Sequence, residues 1–274
     1  MRGAARLAAG AVHMIDLHSH VLPGLDDGPD TMDESLDFVR AAAAQGTTVL
    51  AATPHLREDY PDIEVETLPD ACEELNERIP AELDFEVISA GEVDLIWAQH
   101  ATSDELHYAS FGQLGKDLLV ETPYGLLHDN FEELLFQVAV RGYRILLAHP
   151  ERNPSFQRDP NRLRAIAQRG VLLQITLPSV LRDKSSNSRK LAFNLVREGL
   201  AHNLASDSHS SSGHFRPPDL RRGVQVIAEF APAYAEWLVT DAPAAILEGA
   251  PLPPPPSGGG KPRRGLRLPG RRKG

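Results

Sequence analysis

The stretch FEELLFQVAVRGYRILLAHPER, Phe131 to Arg152, decides how the rest of the chain is read. Its first part repeats apolar residues at helical spacing and ends at Gly142, a residue that closes helices readily. The next part, RILLA (144–148), is a short apolar run of strand type, and directly beyond it come His149, Glu151 and Arg152. A helix, a tight turn, a buried strand and then polar residues at the strand's C-terminal end form the repeating unit of a parallel α/β sheet.

The same unit recurs on both sides. Thr31 to Glu34 reads as a capping box that opens a helix through SLDFVRAAAAQ, with Gly46 to end it and TVLAAT (48–53) as the following strand. IDLH (15–18), FEVISA (85–90), DLLVE (117–121), VLLQIT (171–176) and HNLAS (202–206) are further strand candidates. Asp159 and Pro160 cap NRLRAIAQRG, and RKLAFNLVREG supplies another helix. About seven strand and helix units follow one another without a linker, which predicts one α/β domain of barrel type over residues 14–249.

Composition agrees with a single large core: 274 residues with 42% apolar content can bury one. The net charge is −10, and because residues 250–274 hold seven cations and no acid, the remainder stands at −17, a balance that repels nucleic acid. The sole cysteine, Cys72, excludes an intramolecular disulfide and fits a reducing, cytoplasmic setting. No stretch is long and apolar enough to span a bilayer, so membrane insertion is not expected. Residues 1–13 read as a disordered extension, with Met14 as a second possible start. Residues 250–274, rich in Pro, Gly and Arg, read as a flexible tail. Oligomeric state is not legible.

The chemistry lies at the strand ends. DLHSH (16–20), ATPH (52–55), AGE (90–92), LLVE (118–121), LLAHPER (146–152) and ASDSH (205–209) each close an apolar run with His, Asp or Glu, and in parallel barrels those ends meet at one mouth. Taken singly, His55 reads as a structural histidine and Asp26–Asp27 as a solvated turn. Six such ends together have no packing explanation and point to a divalent metal site, with Asp16 orienting an imidazole from behind. His13, His100, His107, His128, His202 and His214 lack this placement and read as surface or structural residues. Nitrogen and oxygen donors without thiolate suit manganese, iron or zinc.

These motifs resemble the polymerase and histidinol phosphatase (PHP) superfamily, and MIDLHSHVLPGLDDG, ATPH, GYRILLAHPERN and ASDSHSSSGHFRPPDL are most similar to its bacterial capsule-type tyrosine phosphatases, the CpsB and YwqE-like branch. The resemblance spans residues 14–249 and implies a distorted seven-stranded β/α barrel, TIM-barrel-like, with up to three divalent ions, manganese foremost. By matching motifs, His18, His20, Glu92 and Asp207 hold one ion. Glu92 bridges to a second, held also by Glu121 and His149, and Asp27, His55 and His209 hold the third. Arg152 and Arg216 match the phosphate-binding positions, where a guanidinium fork suits phosphoryl oxygens. His209 or bound water is the source of the leaving-group proton. The implied substrate is phosphotyrosine on the tail of a bacterial tyrosine autokinase that controls capsule or exopolysaccharide synthesis and export. A small-molecule phosphomonoesterase of histidinol-phosphatase type and a non-catalytic metal-binding regulatory module are the alternatives. VETPYG departs from the more aromatic run of relatives, which bears on substrate preference.

CEELNER (72–78) places Cys72 and Arg78 at the spacing of cysteine-dependent tyrosine phosphatases. Glu73, Glu74 and Glu77 would repel a phosphate and raise the thiol pKa, so the segment reads instead as an exposed helix with Leu75 and Ile79 inward.

Overall fold

The computed structural model describes residues 13–211 and 218–256. The N-terminal extension, most of the basic tail and the FRPP motif with Arg216 and His214 lie outside the described residues.

Nine strands run in chain order: β1 (Met14–Ser19), β2 (Thr47–Ala52), β3 (His55–Leu56), β4 (Glu86–Ser89), β5 (Glu92–Val93), β6 (Asp117–Glu121), β7 (Arg144–Ala148), β8 (Leu172–Thr176) and β9 (Asn203–Ala205). All ladders are parallel, as the alternation with helices requires. The strands pair as two sheets, β1-β2-β4 and β3-β5-β6-β7-β8-β9.

Two of the expected strands end at a break and resume as a further short strand that the sequence does not announce. Thr53-Pro54 interrupts β2 from β3, where proline has no N–H to give to a ladder, and Ala90-Gly91 interrupts β4 from β5. Gly91 is required there, because a Cβ would lie 2.3 Å from Leu56 Cδ1. Counting each broken pair once leaves seven strand paths, although no single closed sheet forms among the described residues. Between β1 and β9 there is one bridge, Ser19 to Ser208, with His20 N–H donating to the Ser208 carbonyl at 2.9 Å. Toward the start of these strands the C-terminal chain intervenes: Ile15 donates to the Val239 carbonyl and Leu204 to the Leu238 carbonyl.

The strands alternate between two apolar clusters. In β6, Leu118 and Val120 join the large cluster that packs against the helices, and Leu119 joins a small cluster on the opposite face with Leu17, Ala51 and Leu146. The polar strand ends sit above this second cluster. The first helix, Met32–Ala44, opens on the expected capping box, with Thr31 accepting from Glu34 N–H and Glu34 from Thr31 N–H. The helix Leu68–Arg78 buries Leu75, as its sequence predicts, and also Cys72. Three helices after β9, Leu220–Ala228, Pro232–Trp237 and Asp241–Leu247, leave little trace in the sequence because they are short and two carry proline. Ala250 C=O accepts from Arg144 Nη1 at 2.7 Å and Leu252 packs on both clusters, so the chain stays attached past residue 249. No helix among the described residues is long and apolar enough to cross a membrane.

Candidate metal centre

Nine of the expected ligand residues converge at the C-terminal strand ends. Four overlapping groups place one donor atom per residue within 4.8 Å of one another: His20, Asp27, His55 and His209; His18, His20 and Glu92; His18, His149 and Asp207; and His55, Glu92 and Glu121. All are buried except Asp27, which stands at the mouth. The grouping differs in detail from the one the resemblance implies, since His20 also faces the Asp27 group and His149 also faces His18 and Asp207. Glu92 is the hub. Its Oε2 lies 3.0 Å from His55 Nδ1 and 3.3 Å from His18 Nε2, and its Oε1 lies 2.9 Å from His149 Nε2.

The loop after β1 brings Asp27 in because Gly28 lies flat on His20, where a Cβ would come within 2.1 Å of the His20 carbonyl oxygen. Asp26, expected as a turn residue, is instead a supporting carboxylate. It accepts from His20 Nδ1 at 2.5 Å and from His55 N–H at 3.0 Å, so the His20 proton sits on Nδ1 and Nε2 faces the cluster. His18 is fixed by a longer relay. Asn203 Nδ2 donates to the Leu238 carbonyl and Gln174 Nε2 donates to Asn203 Oδ1, which leaves Gln174 Oε1 to accept from His18 Nδ1 at 2.7 Å. His209 Nδ1 donates to the Asp207 carbonyl at 3.1 Å. In each case the outer nitrogen is occupied, which leaves the inner one facing the cluster.

Asp16 does not orient an imidazole. Its Oδ1 accepts from His18 N–H and Ser206 N–H, tying β1 to the end of β9, because a side chain one residue before Leu17 reaches backbone and no ring. Burial pushes its carboxyl up to about 6.

Charge is finely opposed in the cluster. Burial works against ionised Glu92, yet the His18 charge, the His149 hydrogen bond and the closeness of His18 and His55 hold its carboxyl well below the usual range. Asp207 is likewise held well below it, despite burial, by Arg152 and His18. Burial and then repulsion from Glu92 push Glu121 up to about 8, with Arg57 opposing. His20 is raised well above its ordinary value, burial notwithstanding, by Asp26, whereas burial lowers His149. Buried His18 Nε2, His20 Nε2, His55 Nδ1 and Glu92 Oε2 all lack hydrogen-bond partners while facing one another. Lone pairs and carboxylates aimed at a common space, with outer nitrogens tied back, fit divalent cations.

Arg152 stands beside this cluster, its Nη1 2.5 Å from Asp207 Oδ2. Two tyrosines flank it: Tyr60 stacks on His55 and Tyr124 on His149, with ring centroids 5.4 and 6.3 Å apart. Among the histidines set aside, His202 accepts from Leu173 N–H and burial lowers its pKa to about 4, a structural role. Cys72 is 3% exposed and burial pushes its thiol up to about 12, so it is no nucleophile.

Comparison with known proteins gives the same direction. Residues 14–248 match the profile of the CpsB/CapC family, capsular polysaccharide synthesis. The tyrosine-protein phosphatase YwqE of Bacillus subtilis is 29% identical over 198 residues, covering 72% of this chain and 78% of that protein. The tyrosine-protein phosphatase CpsB of Streptococcus agalactiae serotype III is 28% identical over 250 residues, covering 86% and 98%. In structure, the chain superposes with a TM-score of 0.76 and 26% identity, over 88% of its length and 98% of the other, on a chain from the crystal structures of YwqE from Bacillus subtilis and CpsB from Streptococcus pneumoniae, unique metal-dependent tyrosine phosphatases. With the match running from β1 through the last helix, the chain belongs to the CpsB/CapC family.

Proposed function

We propose that the protein is a metal-dependent protein tyrosine phosphatase that hydrolyses phosphotyrosine on a bacterial tyrosine autokinase and so regulates capsule or exopolysaccharide synthesis in the cytoplasm. One observation carries this reading: a set of nine ligand-type side chains, eight of them buried, with the Arg152 guanidinium at its edge. The seven strand paths are the staves of a distorted barrel, whose domain takes in residues 14–249 and the following segment through Leu252 that packs on it.

His18, His20, Glu92 and Asp207 would hold one ion, Glu92, Glu121 and His149 a second, and Asp27, His55 and His209 a third, with manganese the preferred metal. Bound divalent cations supply neutralisation of phosphoryl charge and a nucleophile from water at neutral pH. The chain's own residues do the rest. Arg152 fixes a phosphoryl oxygen with a fork that stays charged at all working pH, and the resemblance assigns the same role to Arg216 of FRPP. His209, tied through Nδ1 to the Asp207 carbonyl, has its Nε2 3.2 Å from Asp27; that nitrogen either takes part in holding an ion or keeps a proton for the leaving phenolate, and bound water is the other proton source. A phenolate leaves readily, so little acid assistance is needed.

The test is hydrolysis of a phosphotyrosyl peptide against histidinol phosphate by manganese-loaded and chelated protein. Turnover of the peptide that vanishes on chelation and returns with manganese supports the reading. Full turnover by stripped protein, or exclusive turnover of histidinol phosphate, rejects it.

A further inference from the structure

Beside the metal cluster, on the far side of Arg152, lies a cavity of about 460 Å³ with no carboxylate in its lining. Arg152 and Tyr124 form its inner wall and Arg182 its outer one, and the helix Asn187–Glu198 starts at its floor. That helix carries no acid in its first turn. The hydroxyl of its N-cap, Ser186, makes no cap bond and contacts Ser188 Oγ at 2.8 Å, so the first amides are left for a ligand. Arg152 Nη2 is buried with no hydrogen-bond partner, although Nη1 engages Asp207, so the guanidinium offers a second arm next to the cleft.

The local charge is unusual for so acidic a chain. Residues 182–190 hold Arg182, Lys184, Arg189 and Lys190 against Asp183 alone. Asp183 forms no ion pair with Arg182; its Oδ1 accepts instead from Ser185 N–H and Oγ at 2.8 and 2.6 Å. No carboxylate pairs with the Arg182 side chain among the described residues. Across Tyr124 the sign reverses. A cavity of about 290 Å³ there is lined by Glu58, Asp59, Asp94 and Glu121, and its Arg57 is forked on Asp59 at 2.5 and 2.6 Å.

We propose that the Arg182 cleft is a subsite for a second anionic side chain, carboxylate or phosphate, of the substrate chain that carries the phosphotyrosine. Tyr124 is the ridge between this subsite and the acidic cavity, so an anion is accepted on one side of the phosphotyrosine only. The proposal rests on the phosphotyrosine reading and adds to it the charge and direction of the flanking sequence.

The experiment uses the full chain loaded with manganese and a set of phosphotyrosyl peptides. These carry neutral flanks, glutamate on the N-terminal side, glutamate on the C-terminal side, or phosphoserine in place of the favoured glutamate. Glutamate on one side is expected to raise kcat/KM roughly tenfold, the scale of a charge-assisted contact at a partly open site. Arg182→Ala should remove that gain and Arg182→Glu should reverse it, with p-nitrophenyl phosphate hydrolysis unchanged because Arg182 is exposed and outside the cluster. A larger gain from phosphoserine identifies the ligand as phosphate, and an equal gain identifies it as a general anion. Fluorescence anisotropy with phosphonate analogues of the same peptides reads the preference without turnover. Flat peptide preference in wild type, equal gains on both sides, or a gain that survives Arg182→Glu overturns the subsite. Absence of hydrolysis of every phosphotyrosyl substrate overturns the parent reading instead.

Discussion

Replacing Gln174 by leucine tests the logic by which the metal centre is prepared. Gln174 is fully buried, accepts from His18 Nδ1 at 2.7 Å and donates to Asn203 Oδ1 at 2.9 Å. Leucine fills similar space but makes neither bond, which leaves two consequences for His18. If its proton stays on Nδ1, that donor and Asn203 Oδ1 are both buried and unsatisfied, each costing about 1–3 kcal/mol. If the proton moves to Nε2, the fold recovers part of that loss, but the lone pair facing Glu92 and Asp207 is gone. Metal affinity should then drop about 10–100-fold, as for other lost supporting partners. The penalty must therefore surface in one readout or the other: a fall in Tm of about 4–8 °C for some 2 kcal/mol in a domain of this size, or weakened manganese binding. Thermal unfolding of metal-free protein and calorimetric titration with manganese measure the two. Gln174→Glu restores an acceptor for Nδ1 while opposing Asn203 Oδ1, so it should keep metal affinity and lose stability. Wild-type Tm together with wild-type manganese affinity in Gln174→Leu would falsify the relay.

Arg152→Ala should retain its metal by mass spectrometry, since guanidinium offers no lone pair and its removal only frees Asp207, while kcat/KM on a phosphotyrosyl peptide falls on the order of a hundredfold. Cys72→Ala should keep near-normal turnover, and native protein at pH 8 should resist iodoacetamide, because the thiol is buried and pushed up to about 12; labelling that tracks inactivation would contradict this. Truncation after Pro256 should leave Tm and turnover unchanged. Truncation after Gly249 should cost about 1–3 kcal/mol, because it removes the carbonyl that Arg144 binds and the packing of Leu252. Equal Tm values for the two truncations would place the boundary at residue 249.

Strand identity and the polar strand ends are legible because a buried parallel strand leaves a simple trace, an apolar run followed abruptly by His, Asp or Glu. β6 and β7 coincide with DLLVE and RILLA for that reason. The supporting groups are harder to see. Gln174 sits inside an apolar run, and its only signal is an amide where the alternation calls for a buried side chain on the face shared with Leu172. Asp26 looks like any turn residue in LDDG, and only the close approach of Gly28 to His20 turns it inward. The breaks at Pro54 and Gly91, which place His55 and Glu92 at the starts of β3 and β5, depend on contacts between distant segments.

The alternation of the strands also explains one of the three non-glycine residues with positive φ among the described residues, His149; Gln113 and Asp207 are the others. In β6, Glu121 has the same parity as Leu119 and faces the inner side without distortion. In β7, Leu146 and Ala148 take the inner face while Ile145 and Leu147 pack toward the helices, so regular continuation would send His149 outward. Instead His149 adopts φ 37° and ψ 42°, a left-handed conformation that costs about 1–3 kcal/mol for a residue of this type, and its ring comes to lie against Glu92. The residues around it hold that turn. Thr122 Oγ1 donates to the Ala148 carbonyl, Pro150 follows at once with its fixed φ, and Arg152 N–H donates to the His149 carbonyl at 3.0 Å. Glu151, fully buried, anchors the far side by accepting from Thr176 N–H and Oγ1 at the end of β8. One strained turn thus delivers a ligand-type imidazole inward and the guanidinium to the edge of the same cluster. HPER is for this reason a structural unit: the histidine and the arginine are placed by a single backbone event, and a change that relaxes the turn displaces both.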